Sequence, residues 1–324
     1  MVFLKIHFRP CLKFFQQCRL SRCQRWATHL LLKLAFYKMN VLSEGRGDWG
    51  YKTVLAIVRR AFPGVVITHD STKEPHLIVR SHFLDNKGLG YNAPYILWSG
   101  ESYRVKPRKH YAPLFELNSF DCDAENSIYY PLLAQDCKST REPQVATEKK
   151  YCCAYANSVS IRERQLLFSS MLRLNTSCYG FGPAKYTKNN PFVASSASRE
   201  KNATQFSDFA FVIAMENKVQ AGYITEKIGY AFETGAVPIY DSRNGVDRFF
   251  NTTAFFDVSQ YPTPTAAGEA AVHIWNDKQK LQKYLDAPIR TNGELQKYEN
   301  LDDMDSSPMW MIPALNALSN AISL

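Results

Sequence analysis

Glu216-Asn217 and Tyr223-Ile224-Thr225-Glu226-Lys227 place carboxylates, an amide, a phenol, a hydroxyl and an ammonium within one short stretch. The preceding run, Phe209–Met215, is continuously apolar, as a buried strand would be. Residues 225–234 show helical spacing and are stopped by Gly235, and Ala236–Tyr240 forms the next strand. Polar groups at the carboxyl end of a buried strand, facing a helix N-terminus, suit phosphates and nucleotides. The helix start supplies N–H groups and partial positive charge, and Lys227 adds a full charge one turn in. Glu226 would repel a bare phosphate, so it suits sugar or ribose hydroxyls, which donate to a carboxylate.

The elements that must position these groups read as α/β. Residues 51–62 have helical spacing and end at Pro63-Gly64. Short apolar runs follow at Val65–Thr68, His76–Val79, Tyr95–Trp98 and Leu114–Leu117, consistent with buried parallel strands. Residues 138–150 are polar, contain Pro143 and read as a linker. A second α/β unit opens at Tyr151–Ala156, and Ser160-x-x-Glu163 predicts a capping box for a helix running to about Leu174. Asp277–Leu285 and Met309–Ile322 read as further helices, the last packing back on the body. The expected organisation is a leader over 1–40 outside the fold, an N-terminal α/β domain over 41–149, and a second α/β domain with C-terminal helix over 150–324. Two such halves would form two Rossmann-like domains facing a central cleft.

Composition supports a folded globule and argues against a nucleic-acid binder. The 324 residues are 45% hydrophobic, enough for a sizeable core. The net charge of +9 is concentrated: residues 1–40 hold 8 Lys and Arg and no acidic residue. The remainder holds 31 Lys and Arg against 30 Asp and Glu, so it is nearly neutral. The leader lacks the apolar core of a signal peptide. Its best apolar run, Leu30–Tyr37, is too short to span a bilayer and contains Lys33. Three readings of it stand: a loose basic extension, a peripheral contact with an anionic membrane surface, or sequence upstream of a natural start at Met39. Location is left open between membrane-associated and cytoplasmic.

Eight cysteines show no zinc spacing. Most are expected to be thiols, with a Cys122–Cys137 bridge open in an oxidising compartment. Asn175, Asn202 and Asn251 begin N-x-[ST] sequons. Asp121-Cys122-Asp123 and Asp303-Met304-Asp305 spell Asp-x-Asp, and both are expected to be loop carboxylates rather than metal ligands.

The stretch 209–241 resembles the donor-site signature of glycosyltransferase family 10, the α-1,3/α-1,4-fucosyltransferases. Glu216-Asn217, Gly222-Tyr223-Ile224-Thr225-Glu226-Lys227 and Gly235-Ala236-Val237-Pro238-Ile239 match with the same internal spacing, and Lys218 replaces a usual Ser. Ala156-Asn157 through Arg162 is similar to the segment that opens the family's donor domain. Tyr95 through Gly100-Glu101 is similar to the strand that ends in the family's proposed catalytic base, and Tyr129-Tyr130-Pro131-Leu132 continues the likeness. The match runs over about 75–290 and fades past Asp241, where Arg243-Asn244-Gly245 replaces the usual loop.

The resemblance implies a GT-B enzyme that uses GDP-fucose and a glycan acceptor. It implies Glu101 as general base, Arg162 and Lys227 on the diphosphate, and Glu226 on fucose hydroxyls. Asn157, Asn217, Tyr223 and Thr225 would line the donor site. Glu216 is open between a donor contact and a structural carboxylate bonded to loop N–H groups. No cofactor is expected to be required, with Mn²⁺ at most stimulatory. The alternatives are a related transferase for another nucleotide sugar, or an inactive carbohydrate- or membrane-binding relative.

Overall fold

A computed structural model describes residues 38–44, 48–81, 93–104, 112–136, 148–156, 160–181, 206–291, 295–298 and 309–322. The leader up to residue 37, most of the expected linker, Asn157, Cys137, Asn202 and the Asp303-Met304-Asp305 motif lie outside the described residues.

The first sheet has the order β2-β1-β3-β4-β5-β6, and every pairing is parallel. Its strands are β1 (Lys38–Glu44), β2 (Val66–Thr68), β3 (Leu77–Ser81), β4 (Tyr95–Ser99), β5 (Glu116–Asn118) and β6 (Ser127–Tyr129). Helix α1 (Asp48–Ala61) links β1 to β2, and the single turn α2 (Leu133–Asp136) follows β6. β1 corrects the expected boundary at residue 40. Lys38–Asn40 pair with Val66–Thr68, and Met39 is fully buried. The strand escaped notice because Lys38, Asn40 and Ser43 interrupt its apolar positions.

The second sheet has the order β11-β10-β9-β7-β8, again parallel throughout. It comprises β7 (Tyr151–Ala156), β8 (Cys178–Phe181), β9 (Phe209–Ile213), β10 (Val237–Tyr240) and β11 (Phe256–Asp257). Helix α3 (Arg162–Leu174) joins β7 to β8, and α4 (Glu226–Glu233) joins β9 to β10. Helices α5 (Pro264–Asn276) and α6 (Lys278–Leu285) follow β11, and α7 (Ile312–Ala321) ends the described chain.

The sheet is covered on both faces, as a parallel sheet must be. Phe211, Ile213, Val237 and Ile239 pack with Leu167 and Met171 of α3 and Ala267 and Ala271 of α5. Val212 and Tyr240 pack on the other side with Ile228, Ala231 and Phe232 of α4. Each large side chain so buried contributes about 1.5–3 kcal/mol. Helix α5 gave little hydrophobic signal because small residues dominate it. Gly268 lets it approach α3 so closely that a Cβ there would lie 2.1 Å from Ser170 Oγ. Thr263 caps it, accepting from the Ala266 N–H at 3.1 Å, and Pro264 opens it.

Two further expectations change. Helix α3 begins at Arg162 with Ile161 at the cap and no side-chain cap. Ser160 lies one residue too early to cap, and its hydroxyl is engaged by Gln165 instead. The C-terminal helix was expected with the second unit. Instead Met311, Ala314, Leu318 and Ile322 share a core with Met39, Val54 and Ile57 of the first. The apolar tail thus covers α1. Tyr298 and Trp310 approach it against Tyr130, with ring centroids 6.0 and 5.0 Å away.

In the second sheet β7 has β8 on one side and β9 on the other. The chain leaves the carboxyl ends of β7 and β9 in opposite directions, and such a switch point is where α/β sheets bind ligands. Arg164 of α3 and Asn217 of the loop after β9 meet there.

Candidate active site

Beyond β9 the chain runs through buried Ala214 and Met215 to Glu216, which is 7% exposed. Its carboxylate organises the loop. Oε1 accepts the Thr225 N–H at 2.8 Å and the Tyr240 hydroxyl at 3.0 Å. The Thr225 hydroxyl lies 2.9 Å from both carboxylate oxygens. Lys227 Nζ donates to Oε2 at 3.0 Å and to Thr225 Oγ1 at 2.8 Å. Of the two readings of Glu216, these bonds are those of the structural carboxylate. Thr225 occupies the cap position of α4 without capping it by its own side chain. Glu216 takes that backbone N–H instead, so the helix start is tied to the strand end.

Lys227 keeps 28% of its side-chain surface exposed. An ammonium has three donors, and these two bonds leave one for a ligand. Glu226 is half-buried beside it on the first turn. Asn244 Nδ2 braces the loop from beneath, donating to the Tyr223 carbonyl at 3.0 Å and to the Tyr240 hydroxyl at 2.9 Å.

Arg162, chosen from sequence, is exposed at the first residue of α3. The guanidinium that reaches the loop is Arg164, 4% exposed, whose Nη2 donates to Asn217 Oδ1 at 2.9 Å. Its Nε is buried with no hydrogen-bond partner. Burial lowers its pKa, opposed by the charge of Glu216. A lone buried donor on a cation is available to an anion. Helical spacing could have found it, since Arg164 shares a face with Leu167, Phe168 and Met171.

The first sheet contributes Glu101, two residues past β4. Tyr223, 2% exposed, donates its hydroxyl to Glu101 Oε2 at 3.1 Å. Burial, and then the charges of Glu216 and Glu101, push the Tyr223 pKa far up, so it remains a donor. Its neighbours are tied to the same sheet: Ala221 O accepts from the Asp121 N–H at 2.8 Å, and Gly222 O from the Tyr129 hydroxyl at 2.9 Å. Asp121, the first carboxylate of its Asp-x-Asp, is forked by Arg248 at 3.0 and 2.6 Å. Among the described residues no group of three or more His, Cys, Asp or Glu could hold a metal ion. Cys122, Cys152, Cys153 and Cys178 are free thiols.

The structure therefore joins Glu101, Tyr223, Glu216, Thr225 and Lys227 in one network of hydrogen bonds through Asn244 and Tyr240, and sets Asn217 against Arg164 beside it. A carboxylate that can take a proton stands beside a cationic, hydroxyl-lined loop at a helix start. That pairing serves attack by a hydroxyl and departure of an anion.

Residues 145–301 match the family model described as glycosyltransferase family 10 (fucosyltransferase) C-term. Over 55 residues the chain is 38% identical to an α-(1,4)-fucosyltransferase of Arabidopsis thaliana. That match covers 17% of this chain and only 14% of the relative's length. A solved α1,3-fucosyltransferase superposes with a TM-score of 0.62 at 14% identity, covering 86% of this chain and 90% of that one. The same kind of enzyme solved with GDP-fucose gives 0.56 at 15% identity, covering 78% and 82%. The fold is α/β of the GT-B type. The residues that match the C-terminal domain of glycosyltransferase family 10, the fucosyltransferase family, thus include Arg164, Glu216, Tyr223 and Lys227.

Proposed function

We propose that the chain transfers L-fucose from GDP-β-L-fucose, with inversion, to a hydroxyl, O3 of GlcNAc or Glc, of a glycan acceptor. The observation that carries this reading is the Tyr223–Glu101 hydrogen bond, which joins a base on the first sheet to the donor loop of the second. Glu101 takes the proton of the acceptor hydroxyl as that oxygen attacks C1, and the bond from C1 to the diphosphate oxygen breaks. Arg162 and Lys227, with Arg164 behind them and the N–H groups opening α4, meet the charge that develops on GDP. Glu226 accepts from fucose hydroxyls, while Asn217, Tyr223 and Thr225 shape the donor pocket. Asn157 is assigned to the same pocket by family likeness. Glu216 acts through Thr225 and Lys227. Cationic side chains meet the diphosphate charge in this scheme, so no metal is required. Residues 1–37, which precede β1, are assigned to location, by peripheral contact with an anionic membrane surface.

The test incubates purified full-length protein with a panel of nucleotide sugars and oligosaccharide acceptors. Turnover of GDP-fucose with formation of a fucosylated product, undiminished in EDTA, is the expected result. Transfer from another nucleotide sugar, or GDP binding without turnover with any acceptor, would overturn the assignment. An EDTA loss restored by Mn²⁺ would overturn the metal-free scheme.

A further inference from the structure

Three consecutive residues of the donor loop, Ala221, Gly222 and Tyr223, each bond to a group from the first sheet or the turns after it. Tyr223 meets Glu101, which is assigned to the chemistry. The other two meet Asp121 and Tyr129, which nothing so far assigns. Asp121 and Tyr129 in turn are held by one cation, Arg248, from the turn between β10 and β11. Its guanidinium forks onto the Asp121 carboxylate and lies 5.8 Å from the centre of the Tyr129 ring.

We propose that Asp121 and Arg248 are positioning residues, whose ion pair presses the donor loop against the sheet that carries Glu101 and so sets where the base stands relative to the donor. The proposal rests on the fucosyl-transfer reading for its chemistry and on the seam itself for its geometry.

The seam is tight where the pair acts. Gly222 has φ +77°, and a Cβ on it would lie 2.7 Å from the Asp121 nitrogen. Only glycine brings the loop this close with this backbone. The ion pair itself is not buried: the Arg248 and Asp121 side chains are 45% and 36% exposed. Pairs so exposed contribute little to stability. A bidentate fork does constrain direction, however, because two parallel N–H···O bonds fix the planes of both groups. Breaking it is therefore expected to leave the fold standing and let the seam shift. A displacement of the order of 1 Å at a reacting centre is enough to cost about 10²-fold in rate. It also explains the Asp-x-Asp spelling without a metal, since both oxygens of Asp121 face the guanidinium.

The experiment compares full-length wild type with Asp121→Asn, Arg248→Gln and Arg248→Lys. Amide hydrogen exchange of residues 119–123, which include the Asp121 N–H of the seam, is read without any turnover. The expected result is exchange at least tenfold faster in Asp121→Asn and Arg248→Gln. Alongside it, transfer kcat should fall at least tenfold, GDP affinity should stay within about twofold, and Arg248→Lys should recover part of the kcat. Unchanged exchange, or faster exchange with unchanged kcat, overturns the proposal. A fall in kcat matched by an equal fall in GDP affinity also overturns it, since the pair would then act on donor binding. Wild type that transfers no fucose would overturn the functional reading instead, and the exchange arm would still decide whether the pair holds the seam.

Discussion

Tyr223 donates its hydroxyl to Glu101 Oε2 at 3.1 Å, across 122 positions of sequence. One residue comes from the donor loop and the other from the end of β4. The bond holds a carboxylate in one orientation while leaving its other oxygen able to take a proton. Glu101→Gln should lower transfer kcat by about 10²–10⁴-fold while GDP affinity is retained, as removal of a general base does. Tyr223→Phe should retain the fold and lower kcat less than Glu101→Gln. Steady-state kinetics with calorimetric GDP binding checks both. Wild-type turnover in Glu101→Gln would remove it from the mechanism.

Arg164 and Arg162 lie two residues apart on α3 but differ in surroundings. Arg164 is buried with an unfilled Nε donor, and Arg162 is exposed. Replacing Arg164 with Met keeps the volume and removes a charged contact. GDP affinity should fall about 10–100-fold, the worth of a hydrogen bond to a charged group. Arg162→Ala should weaken binding less. Titration calorimetry of the two variants distinguishes them, and the reverse order would make Arg162 the principal anion ligand.

Glu216→Gln removes the charge to which the Thr225 hydroxyl, Tyr240 and Lys227 are bonded. Leaving buried donors poorly matched costs about 1–3 kcal/mol. Urea unfolding should show that loss. Lys227 would also lose its anchor, so donor affinity should fall with stability. A variant as stable as wild type would show that the loop does not depend on this carboxylate.

Asp257 reports on acid stability. Burial disfavours its charge, but hydrogen bonds from Ser242, Gln260 and Ser259 outweigh burial and lower its pKa. The folded-state pKa lies below the unfolded one, so the unfolded chain takes the proton first as the pH falls. This contribution is therefore complete above the unfolded carboxylate range and is lost as the pH falls through the folded pKa. Asp257→Asn should lower stability at pH 7 by less than about 1 kcal/mol, given its partial exposure. Its unfolding free energy should also fall less steeply below about pH 4. Chemical unfolding measured from pH 2 to 7 checks both.

Much of the frame was legible in residue order. Val54, Leu55 and Val58 announce α1, and the apolar run at 209–215 announces β9. Gly235 marks the end of α4. The loop after β9 was legible as well, because Glu216, Tyr223, Thr225 and Lys227 lie within one local stretch. β1 and α5 were not. Polar residues interrupt the first, and small residues blur the second. Both are held by neighbours that local patterns do not contain.

Local periodicity and turn chemistry thus determined the α/β class, the strand–loop–helix from β9 to α4 and the residue types gathered in it. Tertiary structure alone decided that Arg164 rather than Arg162 is the buried cation, that Asp121 is committed to Arg248, and that the last helix packs on α1 of the first unit. It alone set Tyr223 against Glu101. The physical reason is range. Helix and strand periodicity act over a few residues, whereas burial and hydrogen-bond partners are assigned only when segments distant in sequence are packed together.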